Sequence, residues 1–144
     1  MEIIISLTIF LILAIIVVSS FSSFRNNQEL TNAVQETINL LNLARSKTLS
    51  SEGSSQYGVH FESSRIVLFK GVSFSESNPD NNVAVFSSLI EISAINLNGE
   101  GNNLVFQRLT GKTDNYGTIT LGIKSDVSKT KIIDIKNTGI VNAL

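Results

Sequence analysis

The fold is decided at the start of the chain, where residues 3–18 read IIISLTIFLILAIIVV. No charged residue occurs from Ile3 to Phe24. An α-helix rises about 1.5 Å per residue, so residues 1–24 are predicted to form a transmembrane half-helix that crosses the ~30 Å hydrocarbon core of a bilayer. Glu2 stands at the edge of this run. Because a carboxylate is costly in lipid unless it has a partner, Glu2 is a candidate functional residue.

The helix is predicted to continue as an amphipathic half-helix over residues 25–53. Neither glycine nor proline interrupts the chain between Met1 and Glu52, and Gly53 is the expected stop. Ser19 and Ser20 lie inside the helix, where hydroxyl groups that bond back to carbonyls are expected to soften it. Apolar residues recur at three- and four-residue steps and predict one buried face, at Leu30, Ala33, Val34, Ile38, Leu41 and Ala44.

Residues 54–144 are predicted to form a β-rich globular head. After Gly53 the apolar period changes to two, as at Tyr57, Val59 and Phe61, and polar turns recur every 8–12 residues. This pattern indicates six to eight short strands. Residues 98–102 (NGEGN) are predicted to close a hairpin, and residues 126–129 to form another turn. The fold class is therefore α+β: a long N-terminal helix packed on an antiparallel sheet, with residues 25–144 as one folded unit.

A cleaved secretory signal is the alternative interpretation of residues 1–24. The acidic start, the length of the apolar run and the phenylalanines among Ser19 to Phe24 argue against cleavage, because a signal peptide has a basic start and a small-residue cleavage site. Retention is therefore the expectation. Arg25 alone gives too weak a charge bias to fix the orientation of the head.

The inventory of catalytic side chains is nearly empty, since the chain has no cysteine and one histidine, His60. No nucleophile–base pattern, phosphate loop or metal-ligand spacing is present, so neither an enzyme nor a cofactor is expected. A weak candidate calcium loop contains Asn78, Asp80 and Asn81, but it lacks the acidic spacing of an EF-hand and is first of all a turn. Lysines 124, 129, 131 and 136 are interspersed with acids, so nucleic acid is not an expected partner.

The sequence resembles the type IV pilins and pseudopilins. Residues 1–7 (MEIIISL) look like the family's mature start entered at the hydrophobic residue before the glutamate. Residues 40–47 (LLNLARSK), residues 57–61 (YGVHF) and residues 138–141 (TGIV) resemble H-type minor pseudopilins of type II secretion and FimT-type minor pilins. Two departures are the serines where many pilins have a proline and a C-terminal tail without the arginines of DNA-binding FimT-type proteins.

The resemblance implies a site, a set of partners and a location. Glu2 would pair with the amino terminus of a neighbouring subunit, and the first half-helix would form the filament core, with interface residues Glu2, Ile3, Ile4, Ile5, Leu7, Phe10 and Leu11. A leader and three mature residues would precede Met1, and prepilin peptidase would process the chain, with methylation. Other pilin subunits, membrane lipid and an inner-membrane assembly platform would be its partners.

The function that follows is a structural subunit, a minor pilin or pseudopilin, of a type IV pilus-like or type II secretion filament. Before assembly it would be a single-pass inner-membrane protein with an extracytoplasmic head. The alternative is a bitopic membrane-anchored binding module, an adhesin or DNA-binding receptor, that does not polymerise. The sequence leaves open whether the machinery is a secretion system or a pilus, and whether the subunit is major or minor.

Overall fold

The computed structural model describes residues 1–99 and 101–144. Within helix α1 it describes the backbone throughout and all side chains except those of residues 15–20. Over these residues the secondary structure is one long helix, one 3₁₀ turn and eight strands. The helix α1 spans Glu2–Leu49, and the turn spans Glu52–Ser54. The strands are β1 (Tyr57–Phe61), β2 (Arg65–Lys70), β3 (Asn82–Val85), β4 (Ile90–Leu97), β5 (Asn103–Val105), β6 (Gly117–Ile123), β7 (Asp126–Ile135) and β8 (Val141–Ala143).

The predicted α+β architecture is confirmed, with a long N-terminal helix and antiparallel strands. The helix ends four residues before the predicted stop at Gly53. The Ser50 amide donates to the Ser46 carbonyl at 2.9 Å, and Ser51 adopts a left-handed φ of 51°. Because this left-handed residue turns the chain away from the helix axis, Gly53 belongs to the following 3₁₀ turn instead.

The described strands form two four-stranded antiparallel sheets rather than one. The first sheet has the order β3-β2-β1-β5 and the second has the order β4-β6-β7-β8. The β1–β2 hairpin is confirmed, with Val59 opposite Leu68. The predicted hairpin across residues 98–102 is wrong, because β4 pairs with β6 whereas β5 pairs with β1. The predicted turn at residues 126–129 is also wrong, since these residues already belong to β7.

The predicted buried face of α1 covers both sheets. Leu41 and Ala44 are fully buried, Leu30, Ala33 and Val34 are nearly so, and Ile38 is partly buried. This face joins a single core with the inward side chains of the strands, among them Phe61, Phe106, Ile119, Leu121 and Ile133. Burial of an apolar stripe against a sheet is the main stabilising term for such a helix.

Two connections between strands lie against the C-terminal part of α1. The Arg45 guanidinium donates to the Gly111 carbonyl at 3.2 Å and to the Thr138 carbonyl at 3.4 Å. Gly111 and Gly139 meet beneath it, and a Cβ on Gly139 would lie 1.9 Å from the Gly111 oxygen. Gly139 also has a φ of 79°, so this contact requires glycine. Arg45 therefore holds the helix to two connections, the one between β5 and β6 and the one between β7 and β8.

Candidate functional site: the exposed apolar half-helix

The described side chains in the first half of α1, residues 1–14 and 21–24, are exposed, and most of them are apolar. Between Ile3 and Leu13 the large apolar side chains range from 53% exposed at Ile12 to 84% at Ile3. Phe21 and Phe24, at the end of this half, are 69% and 60% exposed. A monomer rarely exposes more than a few hundred Å² of continuous apolar surface, so a stretch of this length marks an interaction surface.

The hydroxyl groups within this apolar stretch are satisfied by the helix itself. Ser6 Oγ donates to the Glu2 carbonyl at 2.9 Å, and Thr8 Oγ1 donates to the Ile4 carbonyl at 2.7 Å. A hydroxyl buried without a hydrogen bond costs a few kcal/mol, whereas one bonded to its own backbone does not. These hydroxyls therefore present no obstacle to burial of the half-helix against other helices.

Glu2 is the first helical residue and its side chain is exposed. Among the residues that the structure describes, no cation lies within ion-pair distance of it. Within one chain the carboxylate benefits only from the positive end of the helix dipole.

The structure places the predicted interface residues along this half-helix. Ile3, Ile4, Ile5, Leu7, Phe10 and Leu11 are all more than half exposed. The predicted softening by Ser19 and Ser20 falls on side chains outside those described.

The predicted membrane span is not supported. Within the described part of the chain, no helix is both long enough and apolar enough to cross a bilayer.

The weak calcium candidate, residues 78–81, is built as a turn. Asn78 Oδ1 accepts the Asp80 amide at 3.0 Å, and Asn81 Nδ2 donates to the Ser75 carbonyl at 2.8 Å. Asp80 lies 4.0 Å from Lys70 Nζ. No group of three acidic or histidine side chains in the described residues could hold a metal ion. These contacts use the side chains for local structure, as expected for Asn and Asp in turns.

A polar cluster that sequence reasoning missed lies at the end of the β1–β2 hairpin. The Arg65 guanidinium binds Glu62 through two bonds of 2.8 and 2.9 Å, and it also binds Glu76, at 2.9 Å, from the following loop. The hydrogen bond from Arg65 lowers the pKa of Glu62 below its ordinary value of 4.5. In the sequence, the spacing of Glu62 and Arg65 across a two-residue turn could have indicated their ion pair. Nothing in the sequence of the loop after β2 indicates that Glu76 also binds Arg65.

His60 lies beside this cluster on the side of β1 that faces away from α1. Its ring stacks on Phe74 with centroids 4.0 Å apart, Nδ1 is 2.6 Å from Asn103 Oδ1, and Nε2 is 3.5 Å from Glu62. Phe74 also packs edge-on against Phe69. His60 thus helps to hold the loop after β2 over the outer face of the first sheet.

The four lysines near the last hairpin are mostly engaged locally. Lys129 lies 3.7 Å from Asp126, and Lys136 lies 2.6 Å from Asp134. Lys131 Nζ donates to Thr31 on α1 at 3.1 Å. Lys129 and Lys136 are thus paired with neighbouring aspartates, and such exposed ion pairs contribute little to stability. Lys131 instead links β7 to α1.

The fold, one long helix packed on an antiparallel head, is similar to those of a minor pseudopilin and a minor pilin. Two solved structures show the likeness. The minor pseudopilin EpsH from the type 2 secretion system of Vibrio cholerae aligns with a TM-score of 0.60 at 13% identity, over 81% of this chain and 96% of that one. The type IV minor pilin FimU of Pseudomonas aeruginosa aligns with a TM-score of 0.62 at 14% identity, over 84% and 92%.

No protein-family model matches the sequence. No curated protein matches it either. The likeness is therefore one of fold, and at this level the resemblance to pilins and pseudopilins predicted from the sequence is confirmed.

Proposed function

We propose that this chain is a structural subunit of a pilus or pseudopilus filament, a minor pilin or pseudopilin in type. The single observation that carries the proposal is the uncovered apolar half-helix on a folded head. Its large apolar side chains from Ile3 to Leu13 are more than half exposed in the isolated chain. Packing against the same half-helix of neighbouring subunits buries them, and at roughly 25 cal/mol per Å² this burial supplies the driving force for assembly.

Glu2 is the charged member of the proposed interface. Burial among apolar helices requires a compensating cation, and the amino terminus of a neighbouring subunit is the partner in this proposal. Ile3, Ile4, Ile5, Leu7, Phe10 and Leu11 form the apolar contacts around it. The role is structural and involves no catalysis. Processing by a prepilin peptidase and handling by an assembly platform belong to the same proposal.

The test is the presence of this chain in isolated surface filaments, measured by mass spectrometry in cells that express either the natural chain or Glu2→Ala. We expect the natural chain in the filaments and a loss of roughly tenfold or more for the variant, since removal of Glu2 leaves the partner charge buried without compensation, at a cost of several kcal/mol. Glu29→Ala, a matched change on the same helix, should assemble normally.

Two results would contradict the proposal. Filaments that lack the natural chain would remove the structural role. Equal incorporation of the natural chain and Glu2→Ala would remove Glu2 from the interface while leaving the apolar contacts to be tested.

A further inference from the structure

The first sheet ends on one side at β3, whose outer edge has no neighbouring strand in the described chain. β3 (Asn82–Val85) contains no charge, no proline and no bulge, which are the usual features that protect an edge strand from pairing. Of the other edge strands, β4 has a bulge, and β5 and β8 have three residues each. Among the described strands, β3 therefore presents the longest regular edge.

The register of β2 and β3 fixes which backbone groups of β3 point outward. The Phe86 amide donates to the Ser64 carbonyl at 3.0 Å, so these two residues form a hydrogen-bonded pair. Hydrogen-bonded and non-hydrogen-bonded pairs alternate along an antiparallel ladder, so Ala84 bonds to β2 whereas Val83 and Val85 do not. The amide and carbonyl groups of Val83 and Val85 therefore point away from β2, at the open edge of the sheet.

The two valines also make this edge apolar. Val83 is 45% exposed and Val85 is 67% exposed, and both lie on the face of the sheet away from α1. Ala84 lies on the opposite face and packs against the core, as the alternation of side chains along a strand requires. Outside the ladder with β2, no hydrogen bond among the described residues involves the backbone of either valine. At this edge the backbone groups are thus left to solvent.

A groove of about 570 Å³ lies between β3 and the second half of α1, with Leu40 and Leu43 among its lining residues. Val83 and Ala84, whose side chains lie on opposite faces of the sheet, both border it, so the groove reaches the open edge. Neighbouring strands lie about 4.8 Å apart, and a strand added to β3 would therefore run along this groove. Glu36 also lines the groove and makes no ion pair with the described residues, so a cation on the added strand would complement it.

We propose that the edge of β3 is a docking site for an extended segment of another protein chain, which adds to the first sheet as a fifth strand. The outward amides and carbonyls of Val83 and Val85 match the alternating donors and acceptors of a β-strand, and such main-chain bonds supply the affinity in this mode of recognition. Alternate side chains supply the specificity. β-Branched residues would pack beside the two valines, and the residues between them, one a lysine or arginine near Glu36, would enter the groove.

The occupant in this proposal is not β3 of a second copy. Two copies that pair antiparallel through the same edge are related by a twofold axis perpendicular to the sheet. Because α1 packs along the face of the sheet, this axis reverses the direction of α1 in the second copy. In the proposed filament Glu2 meets the amino terminus of a neighbouring subunit, which requires helices that run in the same direction. The choice of occupant therefore rests on the proposed function, whereas the open edge does not.

The area of the edge predicts a weak contact. A segment of five residues is about 17 Å long, and with a width of about 10 Å it covers on the order of 200 Å². A stable interface buries about 800 Å² per partner. An isolated segment should therefore bind with a dissociation constant of roughly 0.1–1 mM, and the complete partner would make further contacts.

The experiment titrates the full chain in detergent with the peptide Thr-Val-Lys-Val-Thr, acetylated and amidated at its ends, and follows the backbone amides by NMR. We expect saturable shifts at Val83 and Val85, and hydrogen exchange at these two amides that slows roughly fivefold or more. Ala84 is the internal control, because its amide already bonds to β2. The same peptide with N-methylated valines cannot form the main-chain bonds and should give neither effect. Replacement of its lysine by glutamate should weaken binding roughly threefold.

Two variants separate the backbone of Val85 from its side chain. Val85→Pro removes an amide that points to the open edge and leaves the ladder with β2 intact, whereas Val85→Thr retains this amide. We expect peptide binding to weaken roughly fivefold or more for Val85→Pro and to stay within about twofold for Val85→Thr. The N-methylated peptide tests the same hydrogen bonds on the natural chain, so the result does not depend on how the proline variant folds.

Three results would overturn the docking site: no saturable binding of the first peptide, equal binding of the N-methylated peptide, or equal binding to the natural chain and a folded Val85→Pro. Equal binding of the lysine and glutamate peptides would remove the role of Glu36. Without peptide, protection of Val83 and Val85 that rises with protein concentration would assign the edge to a second copy. None of these measurements uses filaments, so a negative result leaves the proposed function standing, and absence of the chain from filaments leaves the peptide result unchanged.

Discussion

At the scale of single residues, Glu62 is the side chain whose charge has the clearest role within the head. It accepts two hydrogen bonds from Arg65, which also holds Glu76 of the next loop. These bonds stabilise the ionised form, so the pKa of Glu62 is lower in the folded chain than in the unfolded chain. Its contribution to stability is thus present above the unfolded-state pKa and is lost as the pH falls through the folded-state value.

We expect Glu62→Gln to reduce the free energy of unfolding by about 1 kcal/mol at neutral pH, because the charge-assisted bonds to Arg65 are lost. As the pH falls through the folded-state pKa of Glu62, the natural chain loses the same contribution, so the difference between the two proteins should shrink. Urea titrations over a series of pH values from neutral to acidic measure this. Glu76→Gln, at a more exposed carboxylate, should have a smaller effect. A pH-independent difference between the natural chain and Glu62→Gln would contradict the account.

At the scale of elements, the end of α1 is joined to β1 by a buried threonine. Thr48 Oγ1 accepts the Tyr57 amide at 2.9 Å and donates to the Ala44 carbonyl at 2.8 Å. Both residues are buried, so solvent does not reach the Tyr57 amide to replace the hydroxyl as its acceptor. Thr37 offers a comparison, because its buried hydroxyl bonds only to the Ala33 carbonyl within the helix.

Thr48→Val is expected to destabilise the head by about 1–3 kcal/mol, since it leaves a buried amide without an acceptor while conserving side-chain shape. Thr37→Val removes only a bond to a carbonyl that already serves the helix, and it should change stability by less than about 0.5 kcal/mol. Thermal unfolding followed by circular dichroism compares the two. Similar losses for both variants would show that Thr48 acts by packing rather than by joining helix and strand.

At the scale of the whole molecule, the helix divides into a half that packs on the head and a half that does not. The core of α1 begins at Leu30, and every described side chain before Arg25 is exposed. The stability of the head should therefore not depend on residues 1–24.

A chain of residues 25–144 is expected to keep the melting temperature of the head and to be monomeric, because the exposed apolar half that drives association is gone. Light scattering with size-exclusion chromatography gives the mass, and circular dichroism gives the melting temperature. The natural chain, kept in detergent, is the control. Association of the shortened chain would place a further interface on the head, and a lower melting temperature would show that the first half-helix supports it.

Much of the fold could be predicted from periodicity. The stripe from Leu30 to Ala44 predicts the buried face of α1, and the alternation at Tyr57, Val59 and Phe61 predicts β1 with the correct inward side. Such patterns are local consequences of 3.6- and 2-residue repeats, so the sequence contains them directly. The helix end at Leu49 was missed because it depends on the left-handed conformation of Ser51, which a serine adopts less readily than glycine.

The sequence by itself determined the long helix, its two halves, the strand-forming segments and Glu2 as the lone charge ahead of an apolar run. The tertiary structure decided which strands are neighbours. The NGEGN segment has the composition of a hairpin turn, yet it connects the two sheets, because strand pairing depends on long-range burial rather than on turn residues alone. For the same reason only the structure shows Arg45 across Gly111 and Thr138, and Glu76 beside Arg65: these contacts join segments that only the packed core brings together.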